Sequence, residues 1–292
     1  MPLPIYNTSA TQQARLGEEY TLGSDRVFRY SKNGPEALVV GTVLQGPRFN
    51  DSYSNMAVNA AAAADATSVT VILAYGDPLD RDQFKEGYLY TNDQDGEGFL
   101  YEVTGHPGGG GEDATKKIEL KDHLVVALTT SSQATLIPNA YSGVNKPGGD
   151  PFDILVGVGP VDVPPNQFFW CQVRGPAVVL QDGPLFAGRG IMASQEVPGA
   201  VSVLRQVVPT VTGSRGVTRL GGGVDIGPSV PGAQKEYSQK ALARMTTGTG
   251  RFGEDSYIED FSGKATIPER AIGYCINPRV STEHALVYLT LS

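Results

Sequence analysis

Several groups of side chains have types and spacings from which chemistry could be built. The acidic turn Asn92-Asp93-Gln94-Asp95-Gly96-Glu97-Gly98 places Asp93, Asp95 and Glu97 at alternate positions. Hard cations collect oxygen ligands in that way. The EF-hand spacing also needs a third Asp or Asn before the glycine and a Glu six residues after it, and the chain has neither. A hairpin turn and a calcium-type site both stay open for these three carboxylates. Asp77, Asp80, Asp82 and Glu86 could supply the carboxylate pair of glycoside hydrolysis, but spacing in sequence does not set the separation such a pair needs. A solvated polar connection is the plainer reading of these four residues. His106, His123 and His284 show no metal-ligand spacing. No G-x-S-x-G elbow occurs, and the glycine clusters at 157–159, 221–223 and 263 lack the partners of a phosphate loop. The residues therefore propose no catalytic set and no cofactor. Trp170, between Phe169 and Cys171 and close to Phe168, reads either as a sugar-stacking platform or as core. Cys171 and Cys275 match no zinc spacing; they read as two buried thiols, and a disulfide between them cannot be deduced from sequence.

The elements that must position these groups are short strands. Gly (36) and Pro (20) make up 56 of 292 residues, against a usual share of roughly 12%. Glycine supplies positive φ and proline fixes φ, so both punctuate strands. The net charge is −8 and 18% of residues are charged. No basic stripe exists to neutralise phosphates, so nucleic acid is not an expected partner. The first residues carry neither the basic n-region nor the apolar core of a signal peptide. No apolar run reaches the roughly 18 residues of a spanning helix, so no membrane partner is expected. The chain is expected to be made in the cytoplasm.

Residues 1–24 read as an arm, with Pro2 and Pro4 blocking regular structure and Leu3, Ile5, Tyr6, Leu16 and Tyr20 as spaced apolar residues that could dock. Residues 25–45 read as two strands around the turn Lys32-Asn33-Gly34-Pro35. The run Ala60–Ala64 suggests a short helix or a connector. Val69–Gly76 is a buried strand, and 87–105 is the clearest hairpin. Turn residues at 142–151 suggest a boundary. Beyond it, 153–194 reads as short strands separated by Gly-Pro, Pro-Pro and Asp-Gly-Pro turns. A loop excursion over 212–270 contains a helix candidate at 233–245, and 271–277 and 284–292 close the chain as strands, the last embedded in a sheet. The expectation is thus a mainly β chain of short-strand β-barrel or sandwich modules, with an extended N-terminal arm (1–24), a β domain (25–150), a second β module (151–292) and one or two short helices.

The series VTVILAYGDPLDRDQFKEGYLYTNDQDGEGFLYEVTGHP, followed by KKIELKDHLVVALTTSSQATLIPNAYSGV and VGVGPVDVPPNQFFWCQVRGPAVVLQDG, resembles the capsid decoration (cement) proteins of tailed bacteriophages. The opening DRVFRYSKNGPEALVVGTVLQ is similar to their N-terminal strand pair. The likeness covers about residues 25–195 and can be extended to the last strand at 284–291; the 212–270 region lies outside it. It implies a structural, non-enzymatic virion protein on the outer capsid surface, a homotrimer that bridges subunits of the major capsid protein. The arm residues Leu3, Ile5, Tyr6, Leu16 and Tyr20 would then be the docking element, adding a strand to a capsid edge. Two other classes remain: a glycan-binding spike or fibre module using Trp170 and the 93–97 turn, and a polysaccharide-degrading enzyme with paired carboxylates in a cleft.

Overall fold

Short runs of β-branched and aromatic residues, broken by glycine and proline, fold as strands throughout: the chain is mainly β, 45% strand and 1% helical. The computed structural model describes residues 4–73, 78–111, 114–148, 154–204 and 271–291. All of them fall in one unit, Met1–Leu204 with Arg270–Ser292. The 212–270 excursion and the helix expected at 233–245 lie outside the described residues, as do Leu3 and Asp77.

Two sheets make up this unit. The first has ten strands: β1 (Glu19–Leu22), β2 (Arg26–Asn33) and β3 (Val43–Gln45), then β10 (Ser142–Val144), β11 (Leu155–Val158), β12 (Phe168–Leu180), β13 (Gly190–Ala193), β14 (Val201–Val203), β15 (Gly273–Asn277) and β16 (His284–Thr290). Its main path runs β1-β2-β12-β16-β15-β13-β14. The second has six: β4 (Met56–Ala57), β5 (Ser68–Ile72), β6 (Tyr88–Asp93), β7 (Leu100–Gly105), β8 (Thr115–Leu120) and β9 (Gln133–Ile137), in the order β4-β9-β6-β7-β8-β5. A bridge from Val58 to Val71, with the Asn59 N–H donating to Thr70 O at 2.8 Å, nearly closes it into a barrel. Closure hides the unpaired strand edges that an open sheet would present.

This barrel is inserted between β3 and β10, and the larger sheet draws strands from both sides of it. Sheet membership therefore does not divide the chain at 150. A cut there would separate β2 from β12, which pair from Phe168↔Lys32 to Arg174↔Val27. A sequence reader sees a turn-rich stretch at 142–151 but not which distant strand each neighbour pairs with.

Period-two alternation sets the cores. In the barrel, Val69 and Val71 of β5, Leu89 of β6, Tyr101 and Val103 of β7 and Ile118 of β8 point inward and are buried, packing with Met56 and Leu136. In the large sheet the terminal strand β16 runs between β12 and β15 and buries Ala285, Val287 and Leu289, as its apolar sequence led one to expect. Fully burying a Val or Leu such as Val287 or Leu289 is worth about 1.5–3 kcal/mol each.

Of two expectations about local structure, the first is narrowed and the second corrected. Among the described residues the helical piece is a 3-10 turn, Asp51–Tyr53, capped by Asn50 accepting from the Ser52 N–H. The alanine run is a connector: Ala62 exchanges backbone hydrogen bonds of 2.9 and 2.8 Å with Leu128, and without an amphipathic face nothing favoured a helix over this pairing. Second, Gly175-Pro176 is not a turn but the middle of β12, which runs thirteen residues. The β2 ladder ends at Arg174 after a bulge. The Arg174 and Pro176 carbonyls accept instead from Gln172 Nε2 at 2.9 and 2.8 Å. Gly175 takes φ +87°, and a Cβ there would lie 2.5 Å from Asp25 O, so only glycine fits. Among the described residues, no helix is long and apolar enough to cross a membrane.

Candidate docking surface

The N-terminal segment does not extend as an arm over its described length. Ser9 exchanges backbone hydrogen bonds with Phe168 at 2.9 and 2.8 Å. The Tyr30 hydroxyl accepts from the Gln13 N–H at 2.9 Å, and the Gly17 N–H donates to Tyr30 O at 2.8 Å. β1 then pairs with β2 from Glu19↔Arg29 to Leu22↔Arg26. Of the expected docking residues, Ile5 is buried against Phe28, Tyr30 and Trp170, and Leu16 and Tyr20 pack on the same cluster. The Tyr20 ring lies 5.6 Å from that of Trp170. Tyr6 alone of the described four is largely exposed, at 56%, with its hydroxyl accepting from Arg26 Nη1 at 3.4 Å. The physical reason is the face beneath. Phe28, Tyr30 and Trp170 are too large and apolar to leave in water, and the chain's own N-terminus covers them.

A second set of bonds ties the segment to the barrel. The Glu86 carboxylate accepts from Gln12 Nε2 at 2.9 and 3.0 Å and from the Leu16 N–H at 2.7 Å. Asn139 Nδ2 donates to Glu86 O at 2.7 Å and to Leu16 O at 3.3 Å. Arg15 pairs with Glu102, which also accepts from Lys121 Nζ at 2.9 Å. Glu86 is therefore a tie between chain segments, a role with no sequence signature.

The other sequence-selected residues are dispersed. Asp82 Oδ1 accepts from the His106 N–H at 3.0 Å and the Asp80 N–H donates to Gln83 Oε1 at 3.0 Å, so Asp80, Asp82 and Glu86, the three described members of the group, all make bonds within the fold. In the acidic turn, Asp93 Oδ1 caps the Gln94 N–H at 2.8 Å and Asp95 Oδ2 accepts from Thr129 Oγ1 at 3.0 Å. Asp93, Asp95 and Glu97 do not converge: among the described residues no three His, Cys, Asp or Glu side chains gather as a metal site. The turn is a hairpin turn, with Gln94 at φ 61° and Gly96 at φ 83°. Trp170 is 1% exposed and offers no face to a sugar. The histidines occupy three separate places: His106 is buried in the barrel, His123 Nδ1 donates to Asp65 O at 2.8 Å, and His284 Nε2 to Val40 O at 3.1 Å. Cys171 and Cys275 are free and buried. Burial pushes the Cys171 thiol up to about 11, although Ser31 Oγ donates to its sulfur at 3.1 Å.

What does converge, among the described residues, is an exposed apolar face. Along β12, residues 169, 171, 173, 177 and 179 enter the cores, while Pro176, Val178 and Leu180 alternate outward. Val178 lies opposite Leu286, and Pro176 opposite Tyr288. Tyr288 lies opposite Tyr274, their rings stacked at 5.2 Å and 7°. Ile276 is the next outward residue of β15. Val178, Tyr274, Ile276 and Leu286 are each 36–52% exposed. Val39 and Val40 are exposed beside them, since the Leu180 N–H donates to Gly41 O at 2.9 Å and His284 reaches Val40. Sequence reading took these residues as ordinary strand; the signal that could have found them is that both positions of the alternation in GYCIN and HALVYLT are apolar or aromatic. Contiguous exposed apolar surface marks interaction sites.

Neither a protein-family model, nor a curated protein, nor a solved structure matches this chain.

Proposed function

We propose that this chain is a structural, non-enzymatic virion protein that sits on the outer surface of a tailed-phage capsid and stabilises it by bridging subunits of the major capsid protein. In this reading it acts as a homotrimer. The observation that carries it is the open face of β12, β16 and β15, with Val178, Leu286, Tyr274, Ile276 and Tyr288 displayed together on a strand framework. A rigid sheet face suits an architectural contact, because little conformational entropy is lost when it docks. The resemblance of residues 25–195 to decoration proteins supplies the class of partner. The docking element moves, in this reading, from the N-terminal segment to the sheet face, with Tyr6 as a lesser contact. Three copies on one capsid site would multiply modest contacts through avidity.

The test is decoration of purified capsids that lack this protein. Wild type should co-sediment with them, and Tyr274→Lys/Leu286→Lys should lose at least tenfold in occupancy while keeping its thermal transition. Full occupancy by a folded double variant would remove the sheet face from the proposal, and failure of wild type to bind would remove the function. Light scattering should count three copies per particle in solution or, after release, from the capsid.

A further inference from the structure

We infer that residues 80–87 form an acid-operated latch, in which protonation of His106 removes the acceptor of the Phe84 N–H and frees the turn whose Glu86 carboxylate holds the N-terminal segment. The latch rests on geometry within the barrel and does not depend on the functional reading above.

His106 is 4% exposed and packs on Phe84, with ring centroids 5.9 Å apart. Its Nε2 accepts from the Phe84 N–H at 3.0 Å, while Nδ1 lies 3.3 Å from Pro107 O. An imidazole nitrogen that accepts a backbone N–H carries no proton, so the ring is the neutral Nδ1–H tautomer. Protonation at Nε2 would set a donor against a donor in a buried place. The turn it grips is held tightly: Asp82 and Glu86 take left-handed φ values of 58° and 60°. Non-glycine residues in that region hold strain of order 1–3 kcal/mol, sustained by surrounding contacts. Only two residues after Phe84, Glu86 accepts from Gln12 and Leu16. The same turn thus reads the imidazole on one side and holds the N-terminal segment on the other.

The charged groups facing His106 are Asp82 and Lys116. Asp82 favours the imidazolium and Lys116 opposes it, and burial, the largest influence, also opposes it, so His106 titrates below its ordinary 6.5 in the fold. Lys116 itself donates from Nζ to Gly108 O at 3.1 Å. The sign follows. A histidine whose folded value is lowered contributes stability in full above the unfolded value; the contribution is lost as pH falls below 6.5 and stops falling once the ring titrates in the fold.

Hydrogen exchange of individual amides tests the latch, with rates corrected for the intrinsic effect of pH. In wild type the Phe84 and Leu16 amides should both lose protection progressively as pH falls below 6.5, levelling off where the ring titrates in the fold. Their midpoints should coincide with that of the His106 ring nitrogens in an NMR titration. His106→Gln keeps an acceptor without a titrating charge and should hold both amides protected across the range. Loss of protection at Phe84 but not at Leu16 would overturn the coupling, and so would midpoints that differ from that of the ring. Unchanged pH dependence in His106→Gln would overturn the role of the imidazole. If that variant does not fold, the wild-type midpoints alone decide.

Discussion

The outward face of β12 has two halves with opposite fates. Near its start, Phe168 and Trp170 are overlaid by residues 5–22, which bring Ile5, Leu16 and Tyr20 onto Trp170, Tyr30 and Phe28. Near its end, Pro176, Val178 and Leu180 continue onto Leu286, Tyr288, Tyr274 and Ile276, and this half is exposed. Along β12 itself the covered half is aromatic and would lose most by meeting water, while Pro176, Val178 and Leu180 are smaller and cost less to display. The contrast separates two kinds of apolar residue that sequence alone treats alike: those that finish the fold and those left over for a neighbour. The docking surface is to be sought in the second kind.

The comparison breaks most readily at Trp170. Trp170→Ala should cost about 3–5 kcal/mol by chemical denaturation, because the covered half is core. Removing residues 4–22 should likewise expose Phe28, Tyr30 and Trp170, lower the thermal midpoint and raise binding of an apolar dye. A truncated chain that kept wild-type stability would show that the N-terminal segment is an appendage after all.

Gly175 lies where the two halves meet. Gly175→Ala should destabilise by about 2 kcal/mol, since alanine resists the left-handed backbone, and its Cβ would press on Asp25 O. Lost stability with unchanged capsid binding would show that the halves are energetically separate.

Cys171 lies on the opposite side of β12, beneath the covered half. Its thiol is raised from 9.0 to about 11 in the fold. The stability it contributes is therefore complete below pH 9 and is lost as pH rises through about 11. Cys171→Ala should flatten that alkaline limb in denaturation curves, and iodoacetamide at pH 8 should leave wild-type Cys171 unmodified until the chain is unfolded. The smallest effect on stability belongs to the open half. Leu286→Lys and Tyr274→Lys should each stay within about 0.5 kcal/mol of wild type, while weakening any contact made through that face.

Much of the strand framework was legible. The 87–105 hairpin and the two closing strands followed from strand patterning and turn chemistry, and β5 from a continuous β-branched run, all of them local signals, although β5 buries only alternate residues. The acidic turn was legible as a hairpin because its Asp and Gly spacing is that of a turn. Glu86 was not legible as a tie, since its partners Gln12 and Leu16 are some seventy residues away in sequence. The open face was not legible either. Val178, Leu286 and Tyr274 come from three strands whose adjacency depends on β16 crossing between β12 and β15.

By itself, then, the sequence determined that the chain would be β-rich, since glycine, proline and period-two runs act over a few residues. It also determined that Cys171, Trp170 and the terminal strand would be apolar enough to bury. Tertiary structure decided the rest: that a barrel is inserted within a larger sheet, that Gly175-Pro176 passes through a strand instead of turning, and that the N-terminal segment covers one half of β12 and leaves the other open. Those outcomes depend on which distant strands pair and how much apolar surface each pairing leaves exposed, and local patterns carry no information about either.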